Sequence, residues 1–174
     1  MVPHLFDWPW WGYVIFALGV TQLTVACLDL YLHRAMAHQA IRLPSAIRHA
    51  MRFWLWLTTG LNTREWVAVH RQHHADADGR GGPDSPLPPA GWGRLLNAAR
   101  VYRRARADGR LLARRGQGCP DDWIERRLYR PFRELGVVLM LAINVVLFGL
   151  VIGGGIWMLQ MAGRLVAFGA LPPR

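Results

Sequence analysis

The chain has 174 residues, of which 52% are hydrophobic and nine are tryptophan, a composition that favours a single membrane-embedded domain over a soluble one. Its net charge of +10 comes from 21 arginines and no lysine. This charge could fit nucleic acid, but the long apolar stretches and the lack of any nucleic-acid motif favour a membrane surface. Cys27 and Cys119 show neither CxxC nor paired spacing, which predicts neither a disulfide framework nor a zinc site.

The first predicted element is a transmembrane helix near the N-terminus, at about residues 9–31. No charged residue occurs in the 21 residues from Trp8 to Leu28, and a helix of that length reaches about 31 Å, enough to cross a bilayer. The tryptophans beside Pro9 fit an aromatic belt at the membrane interface.

A first pair of histidines, His33 and His38, follows at the end of this helix. On an ideal α-helix they point about 140° apart, so they can face one point only if the helix ends or distorts between them. Asp29 lies one turn before His33, at a depth where an acid needs a partner. Two interpretations stay open: Asp29 accepts a hydrogen bond from a ligand imidazole, or it pairs with Arg34.

A second group of histidines occupies positions 70, 73 and 74, shortly after Glu65 and Trp66. Read as a helix, the spacing i, i+3, i+4 places three imidazoles on one face. Neutral imidazole is the commonest protein ligand for iron, zinc and copper. The pattern therefore predicts a metal-binding helix face.

The stretch between the two groups, residues 39–64, includes eleven charge-free residues from Phe53 to Thr63, too few to cross a bilayer as a helix. We expect a buried or interfacial helix that supports the second histidine group. A loop is predicted over 75–93, and a basic amphipathic helix over 94–115 that is interrupted at Gly109. Pro120-Asp121-Asp122 is typical of the start of another short helix.

A second transmembrane helix is predicted at about residues 136–160, because no charge occurs in the 29 residues from Leu135 to Gly163. Nineteen of the arginines lie between Arg34 and Arg133. By the positive-inside rule this places the histidines in the cytosol and the N-terminus outside. The expected fold class is an all-α, multi-pass membrane protein with two transmembrane helices and a cytosolic helical region.

Two motifs, HRxxxH from His33 to His38 and EWxxxHRxHH from Glu65 to His74, resemble those of the membrane-bound acyl-CoA fatty-acid desaturases of the delta-9 type, in their bacterial branch. The resemblance assigns residues 1–161 to the N-terminal part of a desaturase domain and 162–174 to a tail outside the family. The Gly82–Pro86 segment is similar to the family's DPHSP element, with Gly and Asp in place of its first Asp and its His. The ligands that the resemblance implies are five histidines: His33, His38, His70, His73 and His74.

The resemblance also implies roles for three other side chains. Trp66 would lie near the acyl tunnel, while Arg34 and Arg71 would pair with acids around the site. No further catalytic residue is predicted.

The cofactor implied by the resemblance is a pair of iron ions. They would use O₂ to insert a cis double bond into a saturated acyl thioester, with acyl-CoA as the expected carrier. Electrons would come from a ferredoxin-like or cytochrome b5-like donor. Zinc is excluded for this chemistry, because unactivated C–H bonds need a redox metal.

The family also has an NxxGH element and a third box, HNxHH, whereas no histidine follows His74 here. We therefore expect a truncated chain with an incomplete diiron site and no activity of its own. Two alternatives remain: another histidine-box membrane hydroxylase, or a non-catalytic membrane protein that binds metal.

Overall fold

A computed structural model describes residues 8–79, 103 and 107–170 of the chain. All regular elements in this described part are helices, which confirms the all-α prediction. In chain order they are α1 (Trp10–Cys27), π1 (Leu28–Ala37), α2 (Ser45–Thr59), α3 (Thr63–Gly79), α4 (Gly109–Arg115), π2 (Glu125–Tyr129), α5 (Arg133–Phe148) and α6 (Leu150–Ala170).

The first helix continues beyond the predicted end of its membrane span. α1 passes without a break into π1, and together they form a 28-residue apolar helix from Trp10 to Ala37. Among the described residues this is the one helix long and apolar enough to cross a membrane. The predicted pair of transmembrane helices is therefore not confirmed.

The apolar stretch after Leu135 folds as two helices, so the single helix predicted over 136–160 is wrong. The break is at Gly149, whose φ of 78° and ψ of 169° suit glycine alone because a Cβ would clash. α5 and α6 then lie side by side: a Cβ on Gly153 would lie 2.3 Å from the carbonyl oxygen of Asn144. The 16 residues of α5 reach about 24 Å.

α6 runs in the same direction as α1. At one end Phe148, just before α6, packs its ring 5.5 Å from that of Tyr13, and at the other end Gly163 lies against Thr21. The end of α6 therefore returns toward π1. It also continues through residue 161, where the sequence predicted the start of a separate tail, and ends at Ala170.

Large apolar side chains cover the faces of these helices that no other described helix contacts. Val14, Ile15 and Leu18 of α1, Val138 and Val146 of α5, and Val151 and Met158 of α6 are all exposed. Apolar exposure over three neighbouring helices is unusual for a water-soluble protein. It supports membrane association of the bundle.

The region between the histidine groups forms the predicted helix. α2 ends at Gly60, which has a φ of 66° and provides the left-handed turn common at helix C-termini. Its end packs closely on α5, because a Cβ on Gly136 would lie 2.3 Å from the Trp56 carbonyl oxygen.

The remaining predicted elements are matched in part. α3 continues to Gly79, into the stretch predicted as a loop from residue 75. α4 begins at Gly109, after Asp108 has capped it by accepting from the Arg110 and Leu111 amides. A short helix follows Asp122, whose Oδ1 accepts from the Glu125 amide at 2.9 Å. The predicted DPHSP-like element lies outside the described residues, as does most of 94–108.

Candidate metal centre

Four of the five predicted histidine ligands come together between π1 and α3. His33 and His38 come from the end of π1, and His70 and His74 from α3. One ring nitrogen from each of the four lies within 4.8 Å of the others. Among the described residues, no other group of three or more His, Cys, Asp or Glu side chains converges in this way.

The π-helical form of π1 explains how His33 and His38 reach the same site. The amide of His38 donates to the carbonyl of His33 at 3.0 Å, a bond that spans five residues. With about 4.4 residues per π-turn, residues five apart point only about 50° from each other. Their ring centres lie 4.6 Å apart. The distortion that the sequence required between them is therefore a change of helix type.

On α3 the spacing of four residues brings His70 and His74 onto one face, with ring centres 4.6 Å apart. His73 is exposed and outside the four-histidine group, and its ring centre lies 6.4 Å from that of His74. The structure thus gives no support to His73 as a ligand to the same ion, and its metal role stays a prediction.

The spacing of the nitrogens fits a single metal ion. His70 Nε2 lies 3.2 Å from His38 Nε2 and 3.0 Å from His74 Nε2. Two nitrogens bound at 2.0–2.1 Å to one ion lie about 2.8–3.4 Å apart for angles between 90° and the tetrahedral value. The nitrogens of His38, His70 and His74 therefore have the spacing that one ion requires, and His33 is the fourth member of the group. The described residues do not bring together a second such group.

Two of these imidazoles, His70 and His38, favour the neutral form. Burial, followed by the nearby rings of His74, His33, His38 and His73, lowers the pKa of His70 to about 3. Burial, followed by His33, His74 and Arg71, also lowers the pKa of His38. A neutral imidazole has a free lone pair, which is the form that binds a metal.

Asp29 combines the two roles that the sequence left open. Its Oδ1 lies 3.2 Å from His33 Nδ1, and its Oδ2 lies 2.9 Å from Arg34 Nε. A proton held on His33 Nδ1 by this carboxylate leaves Nε2 as the free acceptor. Arg34 therefore pairs with an acid as predicted.

Trp66 lies directly on one of the clustered histidines. Its ring stacks on that of His70 with centres 4.7 Å apart and planes 11° from parallel. Its other contacts are with the buried apolar cluster that includes Leu28, Tyr31 and Leu55. The indole therefore shields one face of His70 from water, and its predicted place beside an acyl tunnel stays a prediction.

The contacts that the structure describes for Arg71 are with the backbone. Its guanidinium donates to the carbonyls of Met36 at 2.8 Å and Ala37 at 3.1 Å at the end of π1, of Arg115 at 2.9 Å at the end of α4, and of Gln117 at 2.9 Å just after α4. Its predicted pairing with an acid stays a prediction. The sequence motif marks this arginine but carries no sign of its partners, because backbone carbonyls leave no trace in composition.

A network of buried charges supports α3 from the other side, and sequence reasoning missed it. Arg133 at the start of α5 makes a bidentate pair with Glu65, both bonds 2.9 Å. Asn62 donates to Glu125, which is 1% exposed. Arg52 of α2 lies 2.6 Å from Asp122 and 3.8 Å from Glu125. We call these six residues the buried charge network.

Comparison with known proteins gives two relatives from Arabidopsis thaliana. The chain is 27% identical over 86 residues to the delta-9 desaturase-like 5 protein, covering 47% of this chain and 27% of that protein. It is 27% identical over 77 residues to the delta-9 desaturase-like 2 protein, covering 44% and 26%. No family model and no solved structure matches the chain.

These similarities support a desaturase-like relationship. The chain spans about a quarter of the length of the curated relatives it matches. Together, the site and the comparisons define a helical protein with a desaturase-like relationship and four converging histidines. In the described part of the chain, one helix is long and apolar enough to cross a membrane.

Proposed function

We propose that the chain carries the first two histidine boxes of a desaturase-like membrane oxidoreductase of bacterial type, and that His33, His38, His70 and His74 hold a redox metal ion, iron by preference. The observation that carries this proposal is the convergence of four imidazoles from two separate motifs at the end of an apolar helix. Iron fits the proposed chemistry better than zinc, because cleaving an unactivated C–H bond needs an oxidant formed at a redox metal.

The proposed reaction is the removal of two hydrogens from a saturated acyl thioester, expected to be acyl-CoA. One O₂, two electrons and two protons are consumed, and a cis double bond and two water molecules are formed. A ferredoxin-like or cytochrome b5-like protein is the proposed source of the electrons. When bound, the iron supplies the O₂ chemistry.

The chain's own residues would prepare the site for this chemistry. Asp29 orients His33 and fixes its tautomer. Trp66 covers one face of His70, and its indole is the proposed contact for the acyl chain. The low pKa of His70 keeps its lone pair available at neutral pH.

We further propose a multi-pass arrangement in the cytoplasmic membrane, in which α5 and α6 form a hairpin beside α1. Because α6 runs parallel to α1, this hairpin returns the chain to the side of the histidines. Nineteen arginines lie from Arg34 to Arg133, and the positive-inside rule favours the cytosol for the side that carries them.

The number of ligands bears on the activity of this chain. Four converging imidazoles fit one ion, whereas the resemblance implies two irons with further histidines. We propose that the chain binds one ion and does not desaturate acyl chains on its own. This stoichiometry also favours the second candidate function, a metal-binding membrane protein without catalysis.

The test uses the full chain in nanodiscs, loaded anaerobically with Fe(II) and then given acyl-CoA, a reductase with its donor protein, and O₂. We expect about one iron per chain and no unsaturated product by mass spectrometry. A folded chain without bound iron would contradict the metal function. Formation of unsaturated product would contradict the proposed inactivity.

A further inference from the structure

Arg71 contacts two different elements beside the clustered histidines. It follows His70 directly on α3, but its side chain points to the end of π1 and to the segment after α4. One guanidinium therefore contacts both of the other elements that border α3 here.

The carbonyls that Arg71 binds have no helical partners. Met36 and Ala37 end π1, where the last carbonyls of a helix lack amides to bond. Arg115 ends α4, and Gln117 follows it. Arginine donors satisfy such terminal carbonyls, and the planar fork of five N–H groups can serve several at once. A lysine ammonium, as a single point donor, cannot reach all four.

The end of π1 also determines where His38 lies. This residue follows Ala37 directly, it is exposed, and its ring contacts are with the rings of the other clustered histidines. Gln39, the next residue, has a φ of 54°, where the chain turns away in a left-handed conformation. The direction of the His38 side chain therefore depends on how the backbone of π1 ends.

We infer that Arg71 is a positioning residue that holds the end of π1 against α3 and so places His38 opposite His70, across the 3.2 Å gap between their Nε2 atoms. The inference rests on the proposed metal function. It assigns to the arginine of the second box the task of setting the geometry of a ligand from the first box.

The experiment compares Arg71→Lys and Arg71→Gln with Arg64→Lys. Arg64 is a matched control on the same helix, because its guanidinium donates one bond of 3.4 Å to the Leu112 carbonyl within α4, and none of its described hydrogen bonds reaches π1. Circular dichroism first confirms that each variant keeps the helicity of the wild type. Co(II) serves as the spectroscopic probe of the site, and hydrogen exchange monitors the amides of His38 and Ala40 without any metal.

We expect both Arg71 variants to bind Co(II) about 10–100-fold more weakly and to exchange these two amides faster, while Arg64→Lys matches the wild type. Unchanged exchange, or faster exchange with undiminished Co(II) affinity, would overturn the positioning role. A wild-type chain that binds no Co(II) would instead refute the proposed function, and the exchange data alone would then decide whether Arg71 holds the end of π1. Arg71→Gln keeps the comparison decisive if the lysine variant does not fold.

Discussion

Two polar clusters meet on α3 and are built in opposite ways. In the buried charge network, Glu65 faces Arg133 and Glu125 faces Asn62 and Arg52, so opposite charges and amides compensate one another. In the histidine cluster, imidazole rings face one another with ring nitrogens 3.0–3.2 Å apart. The first cluster joins opposite charges within the fold, whereas we propose that the second takes up a cation.

The strongest test of this contrast removes one clustered histidine. His70 is the ring whose Nε2 lies close to two others, so His70→Ala should weaken Co(II) or Fe(II) binding at least about 100-fold. Isothermal titration in nanodiscs measures the affinity. His73→Ala is the matched control from the same box, and we expect an affinity within about twofold of the wild type because His73 lies outside the group. Equal losses for both variants would contradict the four-histidine assignment.

The buried charge network should affect the stability of the fold rather than metal binding. Arg52→Met removes the cation that lies 3.8 Å from buried Glu125, and removing one partner of a buried pair costs about 3–5 kcal/mol. Arg130→Met is the control: Arg130 pairs with Asp121 at 2.9 Å on the surface, and exposed pairs contribute at most about 1 kcal/mol. The free energy of unfolding of the metal-free protein in detergent distinguishes them. Similar small losses for both would show that Arg52 is not needed to compensate Glu125.

Lowering the pH should destabilise the folded chain, because His70 in the histidine cluster resists protonation. The pKa of His70 is about 3 in the folded chain and about 6.5 in the unfolded chain. Below pH 6.5 the unfolded state takes up a proton that the folded state refuses until about pH 3, so stability falls as the pH decreases through this window.

His70→Phe keeps an aromatic ring beside Trp66 and removes the titrating group. We therefore expect a shallower loss of stability between pH 6.5 and 4 than in the wild type, measured by thermal unfolding of the metal-free protein. Carboxylates of the network titrate in both proteins, so the difference between the two curves isolates His70. Parallel curves would contradict the neutral state of His70.

The smallest expected effect concerns Asp29. Asp29→Asn loses the carboxylate that faces His33 Nδ1, and the loss of such a partner weakens metal binding about tenfold. Arg34→Gln removes only the exposed outer partner of Asp29 and should change the affinity less. Metal competition titrations provide the comparison, and an unchanged affinity in Asp29→Asn would eliminate its role in orienting His33.

The sequence identified the histidines of the cluster better than it predicted their geometry. The spacing of the histidines on α3 matches helical periodicity, so the sequence alone placed His70 and His74 on one helix face. The meeting of His33 and His38 needed a π-helix, which depends on tertiary packing and has no sequence periodicity of its own. The exclusion of His73 from the group was not predictable either, because three histidines at i, i+3 and i+4 look equivalent on an isolated helix.

The apolar regions show a similar limit. Residues 10–37 and 135–163 are both long and hydrophobic, yet one forms a continuous helix and the other breaks at Gly149. Glycine is common in membrane helices, so its presence alone does not indicate a turn. The close approach of Gly153 to Asn144 reveals the hairpin only once the two helices are seen together. The charge network likewise joins residues about 70 positions apart, which no local pattern shows.

X-ray absorption spectroscopy of the Fe(II)-loaded chain tests the central claim most directly. It reports the kind and number of atoms around the metal, and imidazole rings give a characteristic scattering pattern. The four-histidine site predicts about one iron per chain in an environment dominated by imidazole nitrogen, and loss of that pattern in His70→Ala. An iron bound mainly through oxygen or sulfur, or no bound iron in a folded chain, would contradict it.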